Sequence, residues 1–194
     1  MARPYRGEVM SDLSTDIKPS IYIACLASYN NGYLHGKWIA IESYDQVMNE
    51  VDEILKSSPI PNAEEYAIHD YEYLGDNVDE YDGIQSVCDK ADFIKEHGAL
   101  ALGLLKHFCG NLEDCKRAME NYIDVFDSEL DFAYHLADEL YDIDTMMGEL
   151  RHYFDYESYA KSLFLDGYYS VGVDYKYHVF SEREQNDYRR KKRF

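Results

Sequence analysis

The chain has 194 residues, 46% hydrophobic and 15% aromatic, with a formal net charge of −19. The apolar share is too high for an acidic disordered tail, so the chain folds. The charge makes direct attraction to nucleic acid or anionic lipid unfavourable and favours a basic partner. No apolar run approaches the roughly 18 residues needed to span a bilayer. The N-terminal MARPYRGEVMSDLSTDIKP lacks the continuous apolar core of a secretory signal. Cys25, Cys88, Cys109 and Cys115 are too sparse for a disulfide scaffold and read as reduced, mostly buried thiols. A cytoplasmic protein is expected.

Taken in order, residues 1–18 are polar and without periodicity, a loose arm ending at Pro19. Ile21, Ile23 and Cys25 alternate with Tyr22 and Ala24, the turn-forming Asn30-Asn31-Gly32 follows, and Tyr33 to Ile41 reads as a second strand, so a β-hairpin is predicted. Ser43 caps a helix with Val47, Val51, Ile54 and Leu55 on one face, ended by the prolines of 57–61. Tyr66 to Tyr73 returns as a strand, completing a sheet-plus-helix domain over 19–74. Helices over Asp79–Cys88, Ala91–His97, Ala99–Phe108 and Leu112–Tyr122, separated by Gly83, Gly98 and Gly110, form a central helical domain over 75–121. The segment ALALGLLKHF, apolar nearly all round, is its buried helix. A short strand over Tyr122–Phe126 leads to Ser128, the cap of a helix over Glu129–Tyr141. After a loop with Gly148 come a helix near Asp155–Leu165 and strands over Tyr168–Val173 and Lys176–Phe180, making 122–180 an α+β domain. Residues 181–194, ending RRKKRF, carry no apolar pattern and read as a basic, disordered, solubilising tail. The fold class is α+β.

Charge is distributed unevenly along this chain. Outside the two ends, residues 19–180 hold 10 basic and 32 acidic side chains, a net charge of −22. No Lys or Arg lies between Lys56 and Lys90, where Glu64, Glu65, Asp70, Glu72, Asp76, Asp79, Glu80 and Asp82 crowd into 62–83. None lies between Arg117 and Arg151 either, a run holding Glu120, Asp124, Asp127, Glu129, Asp131, Asp138, Glu139, Asp142, Asp144 and Glu149. Ordinary surfaces intersperse the two signs, because unneutralised like charges repel. A uniformly charged halophilic surface spreads its acids evenly, and these are grouped. On the helix from Glu129, Phe132, Leu136 and Leu140 share one face and Asp131, Asp138 and Asp142 the opposite one, within about 40° and over roughly 16 Å of axis. Tyrosines among the acids, as in Asp70-Tyr71-Glu72-Tyr73 and Glu80-Tyr81-Asp82, stiffen a charged surface at little entropic cost.

Signals for other chemistry are weak. His69-Asp70 is a common dipeptide on a strand. His107, Cys109 and Cys115, with Cys88 upstream, lack the paired CxxC spacing of structural zinc sites. Aligning Gly83 with the sixth position of a calcium loop puts Val78 where a carboxylate is required. There is no phosphate-binding glycine loop or nucleophile elbow, and no carboxylate pair stands out for glycoside hydrolysis. No enzyme, cofactor or metal site is expected.

Three ordered blocks resemble the ArdA antirestriction proteins. The first is Tyr22-Ile23 with Tyr29-Asn30-Asn31-Gly32-Tyr33-Leu34-His35-Gly36-Lys37-Trp38, and the second is Glu65-Tyr66-Ala67-Ile68-His69-Asp70-Tyr71-Glu72. The third joins Phe132-Ala133-Tyr134 to Tyr153-Phe154-Asp155-Tyr156-Glu157-Ser158-Tyr159-Ala160-Lys161-Ser162-Leu163. The resemblance implies an elongated dimer of three small domains, carried on a bacterial mobile element and joined through the C-terminal domain. Such proteins mimic bent duplex DNA in the groove of type I restriction-modification enzymes, on the methyltransferase core, binding neither nucleic acid nor membrane. It also implies that Tyr153, Phe154, Asp155, Tyr156, Tyr159, Ala160 and Leu163 belong to an antirestriction region. The arm and the basic tail fall outside the resemblance. Charge density agrees: a dimer of the body carries 44 net negative charges, as many as about 22 base pairs, or roughly 75 Å of duplex at one charge per ~1.7 Å. The alternative is an acidic adaptor or chaperone for a basic protein.

Overall fold

A computed structural model describes residues 18–75 and 78–182, which are mixed α and β. They fold as two compact units, 18–112 and 113–182. The expected boundary at 74/75 falls inside the first unit, and the one at 121/122 falls shortly after the second begins.

In the first unit, β1 (Ser20–Cys25) is central to an antiparallel sheet of order β2-β1-β3, with β2 (Gly36–Ala40) and β3 (Tyr66–Glu72) at its edges. The alternation read from Ile21, Ile23 and Cys25 buries all three. The predicted antiparallel pairing of β1 with β2 forms, through a longer connection than expected. Leu26–Asn30 closes into a short helix, α1, whose Ser28 carbonyl accepts from Asn31 and Tyr33 N–H, so β2 begins at Gly36 and not Tyr33. Ser28 is buried, and its hydroxyl meets that of Ser58 at 2.9 Å, tying α1 to the connection beyond the next helix. That helix, α2 (Tyr44–Lys56), starts where Ser43 accepts from Gln46 N–H and buries Val47, Val51 and Ile54. It packs on β1, β2 and α3 (Ile84–His97).

Gly36 has no room for a side chain: a Cβ there meets the Ile23 carbonyl at 2.4 Å and the Tyr22 hydroxyl at 2.8 Å. Gly36→Ala is therefore expected to lower stability by about 1–3 kcal/mol, the usual range for overpacking, measured by urea denaturation. A neutral result there shows that β1 and β2 separate freely.

The helix expected from Asp79 begins only at Ile84, and then runs unbroken to His97. Residues 79–82 close a turn of their own, in which Asp82 N–H donates to the Asp79 carbonyl and the Asp82 carboxylate accepts from Asp79 N–H. A local side-chain bond of this kind competes with helix formation. The apolar helix α4 (Ala99–His107) buries Ala101, Leu104 and Leu105 against α3, while its other apolar residues are half-buried.

The second unit begins at the start of α5 (Leu112–Glu120), which stops two residues earlier than expected because Tyr122 enters β4 (Tyr122–Phe126). Its sheet has the order β4-β6-β5, with β5 (Tyr168–Val173) and β6 (Lys176–Ser181) joined by Asp174 and Tyr175, both at positive φ as a two-residue hairpin turn requires. Ser181 closes β6 and is buried, so the tail starts later than position 181. The helix α6 (Glu129–Tyr141) is capped by Ser128 accepting from Asp131 N–H. Phe132 and Leu136 from α6 and Val179 from β6 form the core, with Ile123, Phe126, Leu140, Leu163, Phe164 and Tyr168 around them. The expected loop near Gly148 is ordered as α7 (Ile143–Met147) and a 3-10 helix (Gly148–Tyr153), followed by α8 (Tyr156–Leu165), which packs on α6. The arm expected over 1–18 and the tail over 181–194 lie outside the described residues, apart from Lys18, Ser181 and Glu182.

Inside this unit the Tyr122 hydroxyl lies 3.1 Å from His178 Nδ1. Burial pushes the Tyr122 hydroxyl up to about 12, so it stays protonated. Burial also holds His178 below its ordinary value of 6.5, against the opposing pull of Asp124 and Asp174. A histidine depressed in the folded state leaves the unfolded chain binding more protons. Its stabilising contribution is full above about pH 6.5 and declines as pH falls from there towards the folded value. Denaturation midpoints should therefore fall as pH drops below about 6.5, and His178→Gln should flatten that fall. An unaltered slope in H178Q removes His178 from the acid response.

Candidate acidic interaction surface

Two strands carry the acidic runs on sheet edges, each distorted by one extra residue. On β3, Ile68 pairs with Ile23 and Asp70 with Tyr22, leaving His69 as a bulge. Strict alternation is broken there, so Ala67 and Ile68 are both buried while His69 and Asp70 are both exposed. On β4, Tyr122 pairs with Phe180 and Asp124 with Val179, leaving Ile123 extra and Asp124 half-exposed. Asp70 and Asp124 each accept from the next residue's N–H at 2.8 Å.

In the first unit, Glu64 and Glu65 are exposed just before β3, and Asp70 and Glu72 are exposed along it. Glu72 accepts a long 3.5 Å bond from the Ser20 hydroxyl. The turn 79–82 is laid on the same edge: Ile68 N–H donates to the Glu80 carbonyl at 3.0 Å. Its Asp79 and Glu80 are exposed. His69 Nε2 lies 3.9 Å from Glu80 Oε1, and the His69 ring meets Tyr29 edge-on at 4.8 Å. Tyr81 hydrogen-bonds the Glu80 carboxylate, whose charge holds its hydroxyl above the ordinary value. Asp82 differs from its neighbours: it is half-buried and ion-paired to Lys90 at 3.4 Å. Asp76 lies outside the described residues.

In the second unit, Glu120, Asp127, Glu129, Asp131, Asp138 and Glu139 are exposed. Asp127 is ion-paired to Lys176, Glu129 accepts from the Ser170 hydroxyl at 2.7 Å, and Asp131 accepts from Asp127 N–H at 3.4 Å. Glu139 lies 3.8 Å from His135 Nε2. The predicted line of Asp131, Asp138 and Asp142 holds only for its first two members. Asp142 leaves the helix in a left-handed conformation with φ 41°, where its carboxylate accepts from Thr145 N–H. The chain turns there because Ile143 must be buried, and a straight continuation of α6 is abandoned. Asp144 is part of α7, but its side chain lies outside the described atoms.

Five of the eleven cations of the described residues are held elsewhere. Lys37, Lys56, Lys95, Lys116 and Arg117 pair with Glu50, Asp52, Asp92, Glu113 and Asp114, none of them in the two acidic runs. Four of these pairs sit three or four residues apart on one helix, so they neutralise locally. Sequence reading missed Lys90 and Lys176, which reach carboxylates of the runs across 8 and 49 residues. Only tertiary structure brings them there.

Residues 153–163 organise α8. Asp155 caps it, accepting from Ser158 N–H at 2.9 Å and the Ser158 hydroxyl at 2.7 Å, which hold its carboxyl below the usual range. Phe154 packs edge-on against Tyr156 and Tyr159, and Tyr156 meets Tyr134 of α6 at 4.1 Å with the rings tilted by 35°. Burial pushes the Tyr159 hydroxyl up to about 12. Ala160 is buried and Leu163 joins the core, whereas Tyr153 is 85% exposed. Met146, Leu150 and Leu165 are exposed as well, apolar side chains that no sequence pattern singles out.

The profile of the antirestriction protein (ArdA) family matches residues 21–177, from β1 into β6. The chain belongs to the ArdA family. Its function is antirestriction. No curated protein matches the chain. The match covers both acidic runs and the α8 region of this ArdA protein. Among the described residues no group of three or more His, Cys, Asp or Glu is arranged to hold a metal ion, and no helix is long and apolar enough to cross a membrane.

Proposed function

We propose that this ArdA protein is a DNA mimic that occupies the DNA-binding groove of type I restriction-modification enzymes. Its carboxylates stand where phosphates bind, and it blocks DNA binding and cleavage. The observation that supports this most is the segregation of charge: exposed carboxylates fill the two cation-free runs, while five cations pair with acids outside them. A groove built of Lys and Arg to hold phosphates then meets a surface of one sign. Such a ligand offers no base edges, so it is blind to the enzyme's target sequence. We further propose that the functional species is a dimer joined through the C-terminal unit, supported by the exposed Met146, Leu150, Tyr153 and Leu165. The protein acts in the bacterial cytoplasm, as an inhibitor and not as an enzyme.

The deciding experiment is competition between the purified protein and a labelled duplex for a type I methyltransferase core. Near-stoichiometric displacement that weakens as salt rises is expected, and so is equal potency against enzymes with unrelated recognition sequences. Displacement absent at low and moderate salt, with binding instead to free basic proteins that have no DNA groove, favours an acidic adaptor.

A further inference from the structure

The acidic turn 79–82 is fastened from two sides. On one side its Glu80 carbonyl accepts from Ile68 N–H of β3 at 3.0 Å. On the other, Asp82 accepts both from Asp79 N–H at 3.2 Å and from the ammonium of Lys90 at 3.4 Å. Lys90 is the first cation after the gap that begins at Lys56, and its side chain is only 10% exposed beneath the turn. Lysine is almost never buried unless it is paired, and burying it carries a desolvation cost that an apolar residue of the same length avoids. The pair with Asp82 is therefore costly to break, and it holds the turn in its arrangement. Without the ammonium, the half-buried Asp82 is free to turn to water, and its bond to Asp79 N–H goes with it. The exposed carboxylates of Asp79 and Glu80 then lose their fixed position on the β3 edge.

We propose that Lys90 is a positioning residue for inhibition: it sets the turn 79–82 on β3, so removing this positive charge weakens the inhibitor although it makes the chain more negative. The inference rests on the reading of the carboxylates as phosphate substitutes. Lys95 is the control. It lies on the same helix, is paired to Asp92 one turn away at 2.9 Å, and touches no part of the turn.

The full chain and its K90M and K95M variants are compared for displacement of labelled duplex from the methyltransferase core, and for exchange of the Ile68 and Asp79 amide protons. K95M should displace DNA as well as the unaltered protein or better. K90M should be about fivefold weaker, because the turn must be ordered on binding, and its Ile68 and Asp79 amides should exchange faster. K90M matching K95M in displacement, or keeping both amides protected, overturns the proposal. If K90M does not fold, Lys90→Gln, which removes the same charge, takes its place with the same expectation. Failure of the unaltered protein to displace DNA refutes the mimic reading, and the amide exchange then decides the role of Lys90 by itself.

Discussion

Neutralising Glu64, Glu65, Asp70 and Glu72 together, as E64Q/E65Q/D70N/E72Q, is expected to weaken displacement of duplex from a type I methyltransferase core by about thirtyfold. Each exposed charge at an interface contributes on the order of 0.5 kcal/mol, so four give a loss of about 2 kcal/mol, and 1.4 kcal/mol is tenfold. The salt dependence should flatten too, by nearly one unit of log–log slope for each phosphate-like carboxylate removed. Any one of the four substitutions alone should cost about two- to threefold, since exposed carboxylates share the work. All four side chains are exposed, and none has a Lys or Arg partner among the ion pairs described above. Their removal should therefore leave the fold intact, which circular dichroism checks. A tenfold loss from one of them alone would falsify the distributed-charge view and point to a single directed interaction.

Phe132→Ala should cost the second unit about 4 kcal/mol, within the range for deleting a buried aromatic ring. Phe132 is fully buried, and its ring meets those of Phe126, Tyr168 and Phe164 at 5.2, 5.1 and 5.8 Å. Those three residues come from β4, β5 and α8, so one side chain holds both outer strands and α8 to α6. Alanine leaves a cavity that three rigid rings cannot all close, and lost aromatic pairing adds to the transfer term. Urea denaturation measures it: the midpoint should fall with little change in slope. A loss below about 1.5 kcal/mol would show that the rings repack, and that the core is not organised on Phe132.

Much of the architecture is legible in the sequence because its signals are local. Ser43 and Ser128 announce their helices through cap bonds made within three residues, and the buried stripes Val47, Val51, Ile54 and Phe132, Leu136 follow the helical period. The strands of the second sheet are readable from aromatic and β-branched alternation. The errors fall where a distant or side-chain partner overrides propensity. Asn30-Asn31-Gly32 reads as a hairpin turn, yet buried Ser28 reaches Ser58 and folds the segment into α1. Residues 79–83 suit a helix start, yet Asp82 closes its own turn and delays α3. Asp142 fits the acidic face of α6 by angle, yet burial of Ile143 sends the chain left-handed there.

The sign of the partner and the family are properties of the linear chain: two cation-free runs follow from composition, and the three blocks need only order along it. Which carboxylates are presented is a property of the folded molecule. The bulge at His69 turns Asp70 outward, Lys176 neutralises Asp127, and Lys90 holds Asp82 half-buried. Charge sums along a chain, whereas exposure depends on strand register and on cations that reach a carboxylate only after the backbone has folded.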